Sequence, residues 1–371
     1  MTNTTKQAFT DVNSECFKQA FALFKLTGDF LKLTREFERS FDNKALISVS
    51  HDLSFNVNGT KITLLDTGVL LLEPSDKELA KQKETKKNII ISSGIHGNET
   101  APIEIVQQIV IDVITAKTQV QQRTLFIIGN PVSMNIRKRF EVENLNRLFC
   151  GKYKTIEHCF EKERAEKLEA YVTEFFNQQR DAVNFHYDLH TAIRASNYEK
   201  FAIYPFQGSK PWDKEQLSFM HNCGVSTILF GHGPSGTFSY FSSANFNAHA
   251  FTIELGKVKP FGENDMQNFS AIKQNLANLI SQVKIEIAAF DPNQMTLFKA
   301  LGDITKKTEN FELYVADEVS NFTDFPIGTL LATDLGLEYI TKEEGESIIF
   351  PNANVGNDQR AALMVAPTKL P

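Results

Sequence analysis

The chain has 371 residues, more than one compact domain ordinarily holds, and its 42% hydrophobic and 23% charged composition is that of a globular protein. No apolar run reaches the roughly 18 residues that a membrane-crossing helix needs. A net charge of -6 excludes nucleic acid and acidic membrane surfaces as main partners, since both demand a basic footprint, so an anionic ligand must be met by a local basic cluster. The opening MTNTTKQAFTDVNSECFKQAF lacks the basic region, unbroken apolar stretch and small-residue cleavage site of a secretory signal, and a cytoplasmic location is expected. Cys16, Cys150, Cys159 and Cys223 are scattered without a CxxC pair, which argues for free thiols and against a disulfide framework or a cysteine metal site.

In chain order, Phe17, Ala20, Phe21 and Phe24 recur at helical spacing, and residues 1–44 are expected to be a helical N-terminal segment. From Ala45 the short β-branched runs ALISVS, LSFNV, KITLLD and VLLLE, separated by Gly, Asn and Asp, predict an antiparallel edge. The rhythm then changes to strand NIIIS, a Gly-rich turn, a helix over about 101–116 with Val106, Ile109, Val110 and Val113 on one face, and strand TLFIIG, which together make a βαβ unit. A helix over ERAEKLEAYVTEFFNQQ leads to strand FHYDL, and FAIYPF, STILFG and HAFTIE extend the sheet. After a helix around 272–287 the chain becomes strand-rich through FELYV, GTLLAT, YIT and SIIFPN. The reading is an α/β protein: a mixed sheet flanked by helices over 45–288 and a smaller β-rich C-terminal domain over 289–371. No internal repeat or low-complexity segment is evident.

The residues that carry chemistry sit where predicted strands end, which is where open α/β sheets place their ligands. In SSGIHGNETAPIE, His96 and Glu99 lie in the turn between a strand and a helix, and His190 in YDLHTAIR follows another short strand. Two histidines and one carboxylate with a fourth position left open are the ligand set of catalytic zinc. A lone HxxE arises by chance in many chains; the flanking Gly94 and Gly97, the strand-to-helix context and the third ligand separate this one from chance. Asp188, two residues before His190, is placed to hydrogen-bond a ligand histidine, although a purely structural acceptor role fits as well. The remaining histidines read as surface or core residues, with His232 a possible exception in the Gly-rich FGHGPSGTF.

Amide hydrolysis further needs a group that takes a proton from the attacking water and returns it to the leaving amine. Glu254, at the end of HAFTIE, is the candidate; a buried glutamate paired with Lys257 or Lys259 is the alternative, and the residues alone do not choose. NPVSMNIRKRFEVENLNRLF gathers Arg137, Lys138, Arg139, Asn146 and Arg147 in an otherwise acidic protein, and arginine forks with an adjacent asparagine suit carboxylates. Arg137 and Lys138 read as a solvated loop, whereas the Asn146–Arg147 pair calls for an anionic partner, to which Arg194 is placed to add a contact.

Taken together, GIHGNETAPIE, NPVSMNIRKRF, LNRLF, DLHTAIR and TIELGKVKPFGEND resemble the succinylglutamate desuccinylase group within the aspartoacylase branch of the zinc-carboxypeptidase-like hydrolases. The resemblance extends to FPIGTLLAT and IIFPN and is weakest over the first 40 or so residues. It implies one zinc ion per chain on His96, Glu99 and His190, Glu254 as the catalytic glutamate, and Arg139, Asn146 and Arg147 as holders of the substrate's carboxylates. It further implies cleavage of N-succinylglutamate to succinate and glutamate, the last step of the arginine succinyltransferase pathway. An aspartoacylase-like N-acylamino-acid hydrolase would share the metal site and differ in pocket size and cation placement; a zinc-dependent binding module would not need Glu254, and a peptidase would need a groove open to long chains. Cys150 and Ala195 depart from the family pattern, where glycines are expected. The expected partner is a small anionic substrate, and formation of a homo-oligomer is left open.

Overall fold

The computed structural model describes residues 9–41, 53–75, 85–282 and 285–370. Two compact units result, and each takes more than one stretch of chain: the first is Met1–His190, Ser235–Ala250 and Lys259–Glu286, the second Thr191–Pro234, Phe251–Val258 and Ile287–Pro371. The run ALISVS lies outside the described residues.

In the first unit, helix α1 (Glu15–Thr27) starts where Ser14 accepts the Phe17 N–H and stops at left-handed Gly28, and its Phe17, Phe21 and Phe24 are buried as their spacing predicts. Helix α2 (Phe30–Glu36) follows, capped by Asp29. Strands β1 (Ser54–Val57), β2 (Thr60–Asp66) and β3 (Val69–Pro74) form the antiparallel edge. The β1–β2 hairpin turns on Asn58 and Gly59, whose φ of 46° and 76° suit the two-residue turn that matches strand twist. Strands β4 (Lys87–Ser93) and β5 (Arg123–Ile128) are parallel neighbours joined through helix α3 (Thr100–Ile114), the βαβ unit read from the sequence. On the other side of β4 lies β6 (Val183–Ala192), also parallel, with Ser92 opposite Asp188, so the order is β1-β2-β3-β5-β4-β6. Helices α4 (Pro131–Asn135), α5 (Phe160–Gln178), later α7 (Phe238–Phe246) and α8 (Ser270–Ser281) complete the unit. One core cluster joins Leu65, Leu71, Ile90, Leu125, Leu168, Phe175 and Phe238, and each such side chain gains about 1.5–3 kcal/mol on leaving water.

In the second unit, β7 (Phe201–Tyr204) pairs with antiparallel β9 (His249–Lys257) and with parallel β8 (Thr227–Phe230), while α6 (Lys214–Asn222) lies between β7 and β8 in sequence. The sheet continues through β10 (Thr296–Thr305), β16 (Arg360–Pro367), β15 (Ser347–Ile349) and β12 (Thr323–Asp324). A small second sheet holds β11 (Glu312–Leu313), β13 (Leu330–Asp334) and β14 (Leu337–Ile340) in the order β11-β13-β14. The mixed α/β class with a strand-rich C-terminal part is as expected; the parallel pairing of β10 with β8 shows why the unit is not a simple C-terminal block.

The two departures from family pattern differ in kind. Ala195 is not among the residues of positive φ, and its carbonyl accepts the Asn321 N–H at 2.8 Å, so no glycine is required there. Cys150 has φ 62° and precedes Gly151 at φ 74°, a left-handed conformation in which a Cβ costs roughly 1–2 kcal/mol. Urea unfolding should therefore find Cys150→Gly more stable than Cys150→Ala by about 1 kcal/mol; equal stability would show that this backbone carries no strain.

Candidate active site

Strand β4 delivers its chain into the loop 94–99 and β6 carries Asp188 and His190 in its C-terminal half, so neighbouring parallel strands bring the candidate ligands toward their carboxyl ends. The loop can lie close to α4 only because residue 97 is glycine: a Cβ there would stand 2.2 Å from the Met134 nitrogen. Glu99 occupies the N-cap position of α3 but makes no side-chain cap bond; its carboxylate points to the histidines instead.

His96 Nδ1 lies 2.8 Å from Glu99 Oε1 and His190 Nδ1 lies 2.9 Å from Glu99 Oε2, with all three side chains buried. One donor atom from each falls within 4.8 Å of the others, a group that can hold a metal ion. The far side of each ring decides its tautomer. Asn144 Oδ1 accepts from His96 Nε2 at 2.9 Å and from the Asn146 N–H at 3.1 Å, and Asp188 Oδ2 accepts from His190 Nε2 at 2.9 Å. Both rings thus carry a proton on Nε2 and turn Nδ1 toward Glu99.

The electrostatics fit a cation. Burial, reinforced by Arg139, pulls the His96 pKa down to about 4, so the ring is neutral and its Nδ1 lone pair faces a carboxylate oxygen. That nitrogen has no hydrogen-bond partner among the described residues, and two acceptors at 2.8 Å require a positive charge between or beside them. Burial alone would raise the pKa of Glu99, but His96, His190 and Arg139 outweigh it and hold the carboxyl well below its ordinary value. At His190 burial works against the charge, yet Asp188 and Glu99 raise the pKa well above the ordinary histidine value. Without a metal the proton is the cation of this site, and loading an ion on Nδ1 displaces it.

Arg139 is half-buried and its Nη1 donates to Glu99 Oε1 at 2.5 Å, which places a guanidinium at the edge of the donor group. Asn146 is buried; its Oδ1 accepts the Phe238 N–H at 3.0 Å, which leaves its amide nitrogen as a donor. Arg147 is exposed, and its Nη1 donates to the Asn146 carbonyl at 2.9 Å. Arg137 and Lys138 are exposed, as their solvated-loop reading requires. These belong to the first unit with the ligands.

Two candidates lie in the second unit. Glu254 is buried in β9, opposite Phe201 of β7. Arg194 is committed elsewhere than to a ligand: its guanidinium donates to the carbonyls of Ala316, Asp317 and Val319 and to Asp317 Oδ1, bracing the 316–319 loop. His232 is exposed after β8 and belongs to no metal-binding group among the described residues. All four cysteines are free. Sequence reasoning passed over Asn144, although it stands two residues before Asn146 in the same motif, because nothing in spacing ties it to His96, 48 positions away.

With this geometry established, the relatives are informative. The family model described as the succinylglutamate desuccinylase/aspartoacylase catalytic domain matches residues 85–280, and that of the AstE/AspA barrel-sandwich hybrid domain matches 293–368. A protein of Idiomarina loihiensis named succinylglutamate desuccinylase is 46% identical over 344 residues, covering 92% of this chain and 96% of its own. The crystal structure of a Chromobacterium violaceum protein of that name superposes with a TM-score of 0.76 at 34% identity, covering 92% of this chain and 98% of that one. One from Vibrio cholerae gives 0.79 at 30% identity, covering 91% and 94%. The chain belongs to the succinylglutamate desuccinylase/aspartoacylase family of amide hydrolases.

Proposed function

We propose that the protein hydrolyses the amide of N-succinyl-L-glutamate to succinate and L-glutamate, with one zinc ion as resident cofactor on His96, Glu99 and His190 and with the cytoplasm as its location. The observation that carries the reading is the buried His96–Glu99–His190 group with Arg139 at its edge and the cations of the 139–147 segment beside it in sequence, in a chain 46% identical over most of its length to a protein named for this activity. Two imidazoles and a carboxylate are the nitrogen and oxygen donor set that zinc prefers in open catalytic sites. Among the described residues no helix is long and apolar enough to cross a membrane.

When bound, zinc supplies Lewis acidity toward water and the scissile carbonyl. Glu254 is assigned the proton work: it accepts a proton from the attacking water and gives it to the departing glutamate nitrogen. Arg139 donates to the carbonyl oxygen as negative charge develops there. Asn146, through its amide nitrogen, and Arg147, through its guanidinium, hold a substrate carboxylate. Arg194, bound to the 316–319 loop, has no part in this reading.

Glu254→Gln should keep zinc content and substrate affinity near those of the parent while kcat falls by about 10²- to 10⁴-fold; near-normal kcat would return Glu254 to a structural role. The substrate assignment rests on charge. N-succinylglutamate carries three carboxylates at neutral pH, and an acetyl group leaves a cation of such a site unpaired, so N-succinylglutamate should be turned over with kcat/KM at least about 10²-fold above N-acetylaspartate or N-acetylglutamate. Arg147→Ala should narrow that gap chiefly by slowing the succinylated substrate. Comparable rates on acetylated and succinylated amino acids would replace this reading by an aspartoacylase-like N-acylamino-acid hydrolase.

A further inference from the structure

Behind His190 lies a row of buried polar groups that the proposed chemistry does not use. His186, Asp188 and His190 alternate along β6 and so face the same side of the sheet, and Ser92 on β4 is the cross-strand partner of Asp188. Ser92 Oγ lies 2.6 Å from Asp188 Oδ1 and 2.8 Å from His186 Nε2, and His186 Nδ1 lies 2.7 Å from Ser242 Oγ on α7. Ser92, His186, Asp188 and Ser242 are fully buried.

The protons in this row have one consistent arrangement. An ionised carboxylate only accepts, so the single hydroxyl proton of Ser92 goes to Asp188. Ser92 must then accept from His186, whose Nε2 carries the N–H. Burial, only partly opposed by Asp188, lowers the His186 pKa to about 4, so the ring is neutral and its Nδ1 accepts from the Ser242 hydroxyl. Hydrogen bonds therefore run in one direction from Ser242 through His186 and Ser92 to Asp188, which on its other oxygen accepts from His190 Nε2.

We infer that Ser92 and His186 are positioning residues: with Ser242 they hold Asp188 in place, and Asp188 in turn holds the ring of His190 with Nδ1 aimed at the metal position. The inference rests on the reading of His96, Glu99 and His190 as metal ligands. Outer partners of a ligand imidazole set its tautomer and orientation, and removing one typically weakens metal binding. A row that served only to satisfy its own polar atoms would behave differently, since replacing such groups by apolar ones of similar volume can be neutral. Helix α7 serves both ends of the site: its Ser242 closes this row, and its Phe238 N–H holds Asn146.

The test is zinc affinity by chelator competition for parent, Ser92→Ala, Ser92→Thr, His186→Phe and His186→Gln, with the absorption spectrum of each cobalt(II)-substituted protein and thermal unfolding as a check of folding. Glutamine retains a donor for Ser92 and an acceptor for Ser242; phenylalanine retains only bulk. Ser92→Ala and His186→Phe are expected to weaken zinc binding by about 10- to 100-fold and to shift the cobalt bands, while Ser92→Thr and His186→Gln stay within about threefold of the parent. The inference is overturned if folded Ser92→Ala binds zinc within about twofold of the parent with the parental cobalt spectrum, or if His186→Gln loses as much affinity as His186→Phe. Should His186→Phe fail to fold, the Ser92→Ala and Ser92→Thr pair decides, equal affinities counting against the inference. A parent that binds no zinc would overturn the ligand reading and this inference together, a result distinct from a parent that loads zinc and variants that load it equally well.

Discussion

Two imidazoles that turn toward one buried carboxylate are oriented by what their far nitrogens bond, as ligand histidines almost always are. Here Asn144 and Asp188 do this for His96 and His190, and both Nδ1 atoms are left facing Glu99. The surrounding fold supplies what that constraint requires. Parallel β4 and β6 end side by side, glycine at 97 lets the 94–99 loop settle against α4, and Glu99 gives up capping α3 to serve the site.

The same arrangement sets the local electrostatics. A buried carboxylate is costly unless paired, and Glu99 is compensated by two imidazoles and Arg139, which together keep it ionised. In a protein with a net charge of -6, Arg139 and a positive charge at His190 offset Glu99 and Asp188 instead of leaving the site acidic. Carboxylates of Glu99 and Asp188 lie 2.9 Å from the two nitrogens of His190, an arrangement that suits a positive charge, a proton or a metal ion, in that position.

Much of this was legible in the residues because local pattern and fold agree. The phenylalanine spacing of α1, the antiparallel runs of β1 to β3 and the βαβ rhythm around His96 all follow from side-chain periodicity. The candidate triad was legible because His96 and Glu99 lie in the turn after β4 and His190 near the end of β6. What escaped depends on distant partners. Helix α7, FSYFSSANF, buries Phe238 and Phe241 in the core together with Ser239, Ser242 and Ser243, so its buried face is not marked as apolar in the sequence, and Asn146 accepts the N–H of its first residue. Strands β10 and β16 find their places through pairing with β8 and with each other. Asn144 and the Ser92–His186 row are recognisable only once β4, β6 and the 144–147 turn are neighbours, and Arg194 looked like a substrate contact because its bonds to the 316–319 loop leave no local sign.

We propose that one metal ion is held by the Nδ1 atoms of His96 and His190 and the carboxylate of Glu99, with the rings fixed from behind by Asn144 and Asp188. A crystal structure of the zinc-loaded protein with anomalous data at the zinc edge tests it most directly. A single anomalous peak is expected at about 2.0–2.2 Å from those two nitrogens and a Glu99 oxygen, with the Asn144 and Asp188 bonds to Nε2 intact. A peak on Nε2 of either ring, or zinc bound at another group of residues, would contradict it.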